Sequence, residues 1–363
     1  MLVRDVLRPH RVRRTPLALA LVAVDTVAYA ICFGALLLVP DVVAKLALGT
    51  LLAVITGRLF VLGHDACHGS FTPHKRLNDA IARLTFLPSL TPLERWRLGH
   101  NQTHHAYTNR RGLDFVWAPF SPREWRALSP PRRLLERVYR SAAGHGPYYF
   151  VAIWCGYLLV PRGARAPYRP AHALDVLLLF FTTAAVAGVV VETAWRTGQN
   201  PVLLVLIAMT WPFVVWNAQM GFAIYHHHTD PAIRWYRGSE PAPGDLQLDA
   251  TQHVVFPGAV NALFHNIFEH AAHHADPLIP LYHLPAAQAT LRDAFGAAVR
   301  AKRWTPSGFL DTVRRCKLYD FDAGCWTDFR GVRTSPIDHR LSAYAGSIRM
   351  SPSAIPSRRV SML

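Results

Sequence analysis

A neutral imidazole offers a lone pair to a transition metal, and this sequence gathers its imidazoles far more tightly than chance would. Of 19 histidines, 11 fall in four groups: His64-Asp-Ala-Cys-His68, His100-Asn-Gln-Thr-His104-His105, His226-His227-His228 and His270-Ala-Ala-His273-His274. On a helix, residues four apart share a face, so His64 and His68 can reach one ion. In the second and last groups one histidine precedes an adjacent pair by a helical turn. The paired rings then point in different directions and can serve two ions. Eight histidines from these three groups plus one of the consecutive three make nine nitrogens. One ion takes only about four to six ligands, so the sequence predicts two ions. Imidazole alone does not choose among iron, copper, nickel and zinc. Carboxylates are nearly absent from the groups, unlike the glutamate-rich di-iron bundles.

These histidines need rigid elements to hold them. Four stretches approach the roughly 20 apolar residues that carry a helix across a bilayer core about 30 Å thick. They cover residues 16–39, 43–63, 173–191 and 201–225. The connections within each pair are short, which predicts two antiparallel hairpins. Pro16 falls in a first turn, where proline is tolerated, and the first apolar run is too long for a signal peptide. The chain is 51% hydrophobic with a formal charge of +16. That pairing suits a membrane protein with basic surfaces facing anionic headgroups. No nucleic-acid module appears among the scattered basic residues, so no nucleic-acid partner is expected.

Lys and Arg concentrate on the cytoplasmic side of membrane proteins. Residues 1–15 carry 5, residues 64–172 carry 16 and residues 226–363 carry 15, leaving only Lys45, Arg58 and Arg196 of the 39 elsewhere. Both termini and all four histidine groups are therefore expected on the cytosolic face. A lone HxxxH arises readily from packing, but histidines of the core or surface would not sort to one face in this way. The cysteines Cys32, Cys67, Cys155, Cys316 and Cys325 lack metal-type spacing and read as reduced thiols. Residues 80–90 and 148–160 are too short to span and read as interfacial, partly embedded or buried helices. The expected organisation is a basic segment 1–15, a membrane domain 16–331 and a flexible tail 332–363.

The strings HDACH, HNQTHH and HAAHH, with the second apolar pair between the last two, resemble the three histidine boxes of the membrane fatty-acid desaturase family. Asn266-Ile-Phe-Glu-His270-Ala-Ala-His273-His274, then Ile279-Pro-Leu-Tyr282, is similar to the third box of the bacterial acyl-lipid branch, as is Cys316-Lys-Leu-Tyr-Asp-Phe-Asp. The resemblance covers most of residues 20–330. It implies an all-α integral membrane protein with four transmembrane helices and a helical cytosolic cap around a histidine-ligated di-iron site, in a bacterial inner membrane.

The implied metal ligands are His64, His68, His100, His104, His105, His270, His273 and His274, with a ninth at the end of the fourth span. Relatives carry a Gln-His step there. Laying it on His226-His227 favours His227 as ligand and leaves His226 and His228 beside it. Further candidates that would orient ligands are Asp65 and Asp114, since a carboxylate on the outer ring nitrogen fixes a metal-bound imidazole. Asn266 is a candidate for linking a water to iron. Phe86, Trp96, Trp117 and Phe222 are candidates for lining an apolar acyl tunnel, against the plainer reading of core packing.

The implied reaction takes dioxygen and two electrons at two non-haem irons to make a double bond in an acyl chain carried on lipid, coenzyme A or carrier protein. The chain shows no cytochrome b5-like insert, ferredoxin cysteine array or GxGxxG fingerprint. Electrons would come from a separate ferredoxin or cytochrome b5. A related hydroxylase, ketolase or acetylenase shares such boxes. A metal transporter fits less well, because transport sites lie near the midplane, where only Asp25 and Asp175 are acidic.

Overall fold

The computed structural model describes residues 3–160, 170–238, 240 and 246–337. Four helices are long and apolar enough to cross a membrane: Thr15–Leu38, Val42–His68, Pro170–Arg196 and Pro201–His228. The first covers its expected stretch up to Leu38, and the other three contain theirs and extend beyond them, most usefully the second and fourth. There the apolar run ends at Gly63 or Tyr225, but the helix continues through His68 or His228. The histidines of the first and third groups along the chain thus stand on the rigid ends of long helices. The first long helix packs on the second, and the second on the fourth. Pro16 sits in the first turn, and Asp41 caps the second helix by accepting from the Ala44 N–H at 2.7 Å.

Charged residues inside these helices are all engaged. Lys45 is buried and donates to the Leu36 carbonyl at 2.9 Å. It satisfies one of the acceptors that a helix end leaves open. Asp175 accepts from Arg83 Nε at 3.0 Å and from the Glu94 N–H at 2.8 Å. It ties the third long helix to the segment that leads into the second histidine group.

The two weaker apolar segments are helical. Residues 80–90 overlap Lys75–Phe86, whose Phe86 is fully buried against Phe60 and Trp96. Residues 148–160 coincide with the π-helical Tyr149–Leu159, which continues His145–Tyr148. Besides shorter helices, the described residues hold three two-stranded sheets. The expected tail begins at 332, yet Thr334 N donates to the Trp326 carbonyl and Ser335 Oγ accepts from Trp326 N. The tail from 338 onward lies outside the described residues.

Backbone meets backbone where the segment at His145 crosses the fourth long helix. A Cβ on Gly221 would come within 2.1 Å of the His145 carbonyl oxygen and 2.8 Å of Gly146 N, which no side chain can relieve. Gly221→Ala should therefore destabilise the protein by about 1–3 kcal/mol, the usual cost of overpacking. A melting temperature in detergent checks this, and an unchanged value would show that the two backbones separate freely.

Candidate metal centre

Nine histidines from four separate segments converge in two groups, with one ring nitrogen from each lying within 4.8 Å of the others in its group. His64, His68, His100, His105 and His273 form the first, and His104, His228, His270 and His274 the second. Neither contains a carboxylate or a thiol. Local backbone geometry explains the division. In an α-helix each residue turns about 100°, so residues four apart lie about 40° apart. His64 with His68 and His270 with His274 follow that rule, while His273 is carried round to the other group.

Leu98–His104 instead winds as a π-helix, and His105 N donates to the His100 carbonyl five residues back at 3.0 Å. An α-helix would set His105 about 140° from His100. The wider turn brings the two into one group and sends His104 to the other. Such π segments are common at functional sites.

Outer hydrogen bonds fix which nitrogen of His104, His228 and His274 faces inward. His104 Nδ1 lies 3.1 and 3.2 Å from the two Asp114 oxygens, and Asp114 is held by the N–H groups of Asn109 and Val116. His228 Nδ1 donates to the Ala250 carbonyl at 3.1 Å. His274 Nδ1 lies 2.8 Å from Gln247 Oε1, while Gln247 Nε2 donates to the His105 carbonyl at 2.7 Å. With Nδ1 protonated in His104 and His228, both Nε2 atoms carry lone pairs. They nevertheless face each other at 3.1 Å, and His270 Nε2 approaches His228 Nε2 at 3.0 Å. Two lone pairs cannot hydrogen-bond.

The first group is equally close: His64 Nε2 is 3.0 Å and His105 Nε2 3.1 Å from His100 Nε2. His68 Nε2 and His274 Nε2 are buried with no hydrogen-bond partner among the described residues. A cation in each group answers all of these orphaned acceptors, so the nitrogen donors fit a metal. Burial first, and then the neighbouring imidazoles, push His100, His105, His270, His273 and His274 well below the ordinary imidazole pKa. The rings are thereby held in the neutral form that a metal requires.

Placement of the remaining expected residues is mixed. All eight box histidines enter the two groups. The ninth nitrogen in the two groups is that of His228, while His227, the residue the family comparison favours, enters neither group. The fourth long helix runs to His228 itself, and one residue is a 100° error. His227 instead stacks on His270 with ring centroids 3.7 Å apart. His226 turns away, with Nδ1 against the Phe222 carbonyl at 3.1 Å and its ring over Phe309.

Asp65 Oδ1 lies 3.4 Å from His64 Nδ1, and its other oxygen accepts from the Leu281 N–H at 2.5 Å. Asn266 Nδ2 is directed to the Leu281 carbonyl at 3.4 Å, so it belongs to neither nitrogen group. Gln247 and the Ala250 carbonyl were not legible in the sequence, since neither lies in a motif.

A cavity of about 230 Å³ runs beside both groups, lined by His64 and His100 from one and His104, His228 and His270 from the other. Trp96 and Phe222 line it as expected. Phe86 and Trp117 do not, being packed behind it against Phe60 and Tyr225 respectively. The rest of the wall is almost wholly apolar and includes Phe60, Trp216, Phe264 and Phe268.

The register at the end of the fourth helix is open to test by metal analysis of single variants. His228→Ala should release the metal of the second group, whereas His227→Ala should retain both. Asp114→Asn should weaken binding by about 10–100-fold, as loss of an orienting carboxylate does. A metal-depleted His227→Ala protein beside a fully loaded His228→Ala protein would reverse the assignment.

Comparison with known proteins agrees with this geometry. The family model for fatty acid desaturase matches residues 40–306. The sn-1 oleoyl-lipid 12-desaturase of Synechocystis sp. is 27% identical over 274 residues, 73% of each chain. The sn-1 acyl-lipid omega-3 desaturase (ferredoxin) of Synechocystis sp. is 32% identical over 67% of this chain and 66% of its own. A chloroplastic omega-6 fatty acid desaturase of Arabidopsis thaliana is 28% identical over 73% of this chain and 57% of its own. The chain belongs to the fatty acid desaturase family, and its reaction is accordingly a desaturation, an oxidoreduction.

Proposed function

We propose that this chain is a multi-pass membrane acyl-lipid desaturase that uses two iron ions, dioxygen and two electrons from a separate carrier. The observation that carries the reading is the apolar cavity whose wall includes histidines of both nitrogen groups. An extended hydrocarbon fits such a wall, and its methylenes would lie against the metal centre. Acyl-lipid is favoured over other acyl carriers by the names of the relatives, and a ferredoxin-type donor by the name of one of them.

In the balanced reaction two vicinal C–H bonds break and a C=C bond forms. Dioxygen is reduced to two waters by two electrons from the substrate and two from the carrier, with two protons from solvent. The metal pair, when bound, supplies the oxidant that no side chain can provide. The protein holds and orients. The first group would bind one ion through five imidazoles and the second the other through four. Asp114, the Ala250 carbonyl and Gln247 keep the Nδ1 protons of His104, His228 and His274 outward, so that Nε2 remains a ligand. Phe60, Trp96, Phe222 and Phe264 exclude water and confine the chain.

The four long helices would cross the membrane as two hairpins, with both termini and the histidine groups in a cytosolic cap. The distribution of Lys and Arg supports that orientation. Reporter fusions after residue 15 and at residue 240 should give the same cytosolic signal. Opposite signals would overturn the topology.

Expression in a host of known lipid composition tests the reaction itself. Acyl chains lighter by two hydrogens are expected, and chains that have gained an oxygen atom would show hydroxylation instead. Ala223 lines the cavity. Ala223→Phe should lower product on the order of ten-fold or more by displacing the substrate, with bound metal unchanged. Full activity in that variant would place the substrate elsewhere.

A further inference from the structure

Ionisable side chains deep within membrane helices are costly and usually functional. Asp25 lies ten residues beyond Thr15, where the first long helix starts, and Arg58 ten residues before His68, where the second ends. At 1.5 Å per residue each is roughly 15 Å along its helix. Arg58 Nε and Nη2 approach Asp25 Oδ1 at 2.9 and 2.8 Å. The other Asp25 oxygen lies 2.6 Å from His265 Nε2. A second arm of Arg58 donates to the Leu263 carbonyl at 2.6 Å. All three side chains thus hold one loop, residues 263–266, against the first two long helices.

That loop is conformationally expensive. His265 and Asn266 are consecutive non-glycine residues with φ of 51° and 61°, a conformation that persists only when its surroundings impose it. Non-helical backbone at membrane depth is tolerated where it is enclosed by protein or lines a cavity. This loop does the latter: Phe264, Ile267 and Phe268 form part of the cavity wall, and His270 of the second nitrogen group follows directly. Arg58 also stands six residues before His64 on the same helix. One rigid element therefore carries both a ligand of the first group and the anchor of the opposite wall.

We propose that Asp25, Arg58 and His265 are positioning residues that set the register of the acyl chain against the two histidine groups, and so determine which carbon pair is oxidised. This rests on the desaturase reading above. The ion triad fixes the distance between the wall at Phe264–Phe268 and the histidines. If that wall is released, the chain can slide by a methylene. A purely structural clamp would affect folding and total activity but not the position of the new double bond.

Three variants test this in the full-length protein expressed in a host of known lipids. His265→Asn keeps a residue that tolerates positive φ but is too short to reach Asp25. Asp25→Asn removes the charge with little change of shape. Arg58→Lys keeps the charge but cannot bridge Asp25 and Leu263 with a planar fork, and it serves as the mildest variant if another fails to fold. Each should keep wild-type metal content and spread the double bond over neighbouring positions, with turnover lowered on the order of ten- to a hundred-fold.

The Asp25→Asn/His265→Asn double variant should match the more affected single variant, because the Asp25–His265 contact is broken by either change. Metal-loaded variants that place the double bond only where the wild type does, or effects that multiply in the double variant, would overturn the proposal. A wild-type protein that makes no alkene would overturn the desaturase reading and this inference with it, and it would be detected before any variant is compared.

Discussion

His104 and His228 each direct an Nδ1 proton outward, to Asp114 and to the Ala250 carbonyl, and so present bare Nε2 lone pairs to each other at 3.1 Å. Without a cation between them the arrangement is repulsive, and burial removes the water that would otherwise relieve it. Much of the fold serves to hold this contact. The fourth long helix runs three residues past its apolar stretch to deliver His228. The loop from Asn109 to Val116 wraps the Asp114 carboxylate with two backbone donors, and the segment near Gln247 covers His274 and His105 from outside. Each of these supports lies outside the nine grouped histidines, where partners that orient metal-binding imidazoles are generally found.

Two kinds of helix sort nine rings into two sets. The α-helical boxes pair residues four apart, while the π-helical turn at Leu98–His104 pairs His100 with His105. The adjacent pairs His104–His105 and His273–His274 then each bridge the two groups. This keeps the groups close enough to border one cavity, yet gives each its own nitrogen donors. The apolar wall beside them is likewise built from helix ends and from one strained loop, whose position depends on charges embedded in the first two long helices.

The histidine boxes, the four long apolar helices and the count of nine nitrogens were legible in the sequence, because each rests on spacing or on a run of residues. The division into five and four was not. HNQTHH read as an α-helix pairs His100 with His104, and nothing in the string announces a wider turn. The place of His228 in the second group was hidden for a related reason: three consecutive histidines give no phase, and a step borrowed from relatives favoured His227.

Asp65 and Asp114 stood out as carboxylates near boxes, and they lie against the rings of His64 and His104. Gln247 and Ala250 come from a segment with no motif and reach the site only through the tertiary fold. Asp25 and Arg58 were visible as isolated charges in apolar runs. Their partner His265 was not, since its contact with Asp25 spans 240 positions.

The proposed centre holds one iron in each of the two nitrogen-only groups. Metal analysis and X-ray absorption of wild-type protein, purified without chelator from iron-replete cells and active in lipid desaturation, test it most directly. Two irons per chain are expected, one for each histidine group, surrounded by nitrogen or oxygen scatterers with no sulfur. Active protein that holds a single ion, stoichiometric zinc in place of iron, or a sulfur neighbour would contradict it.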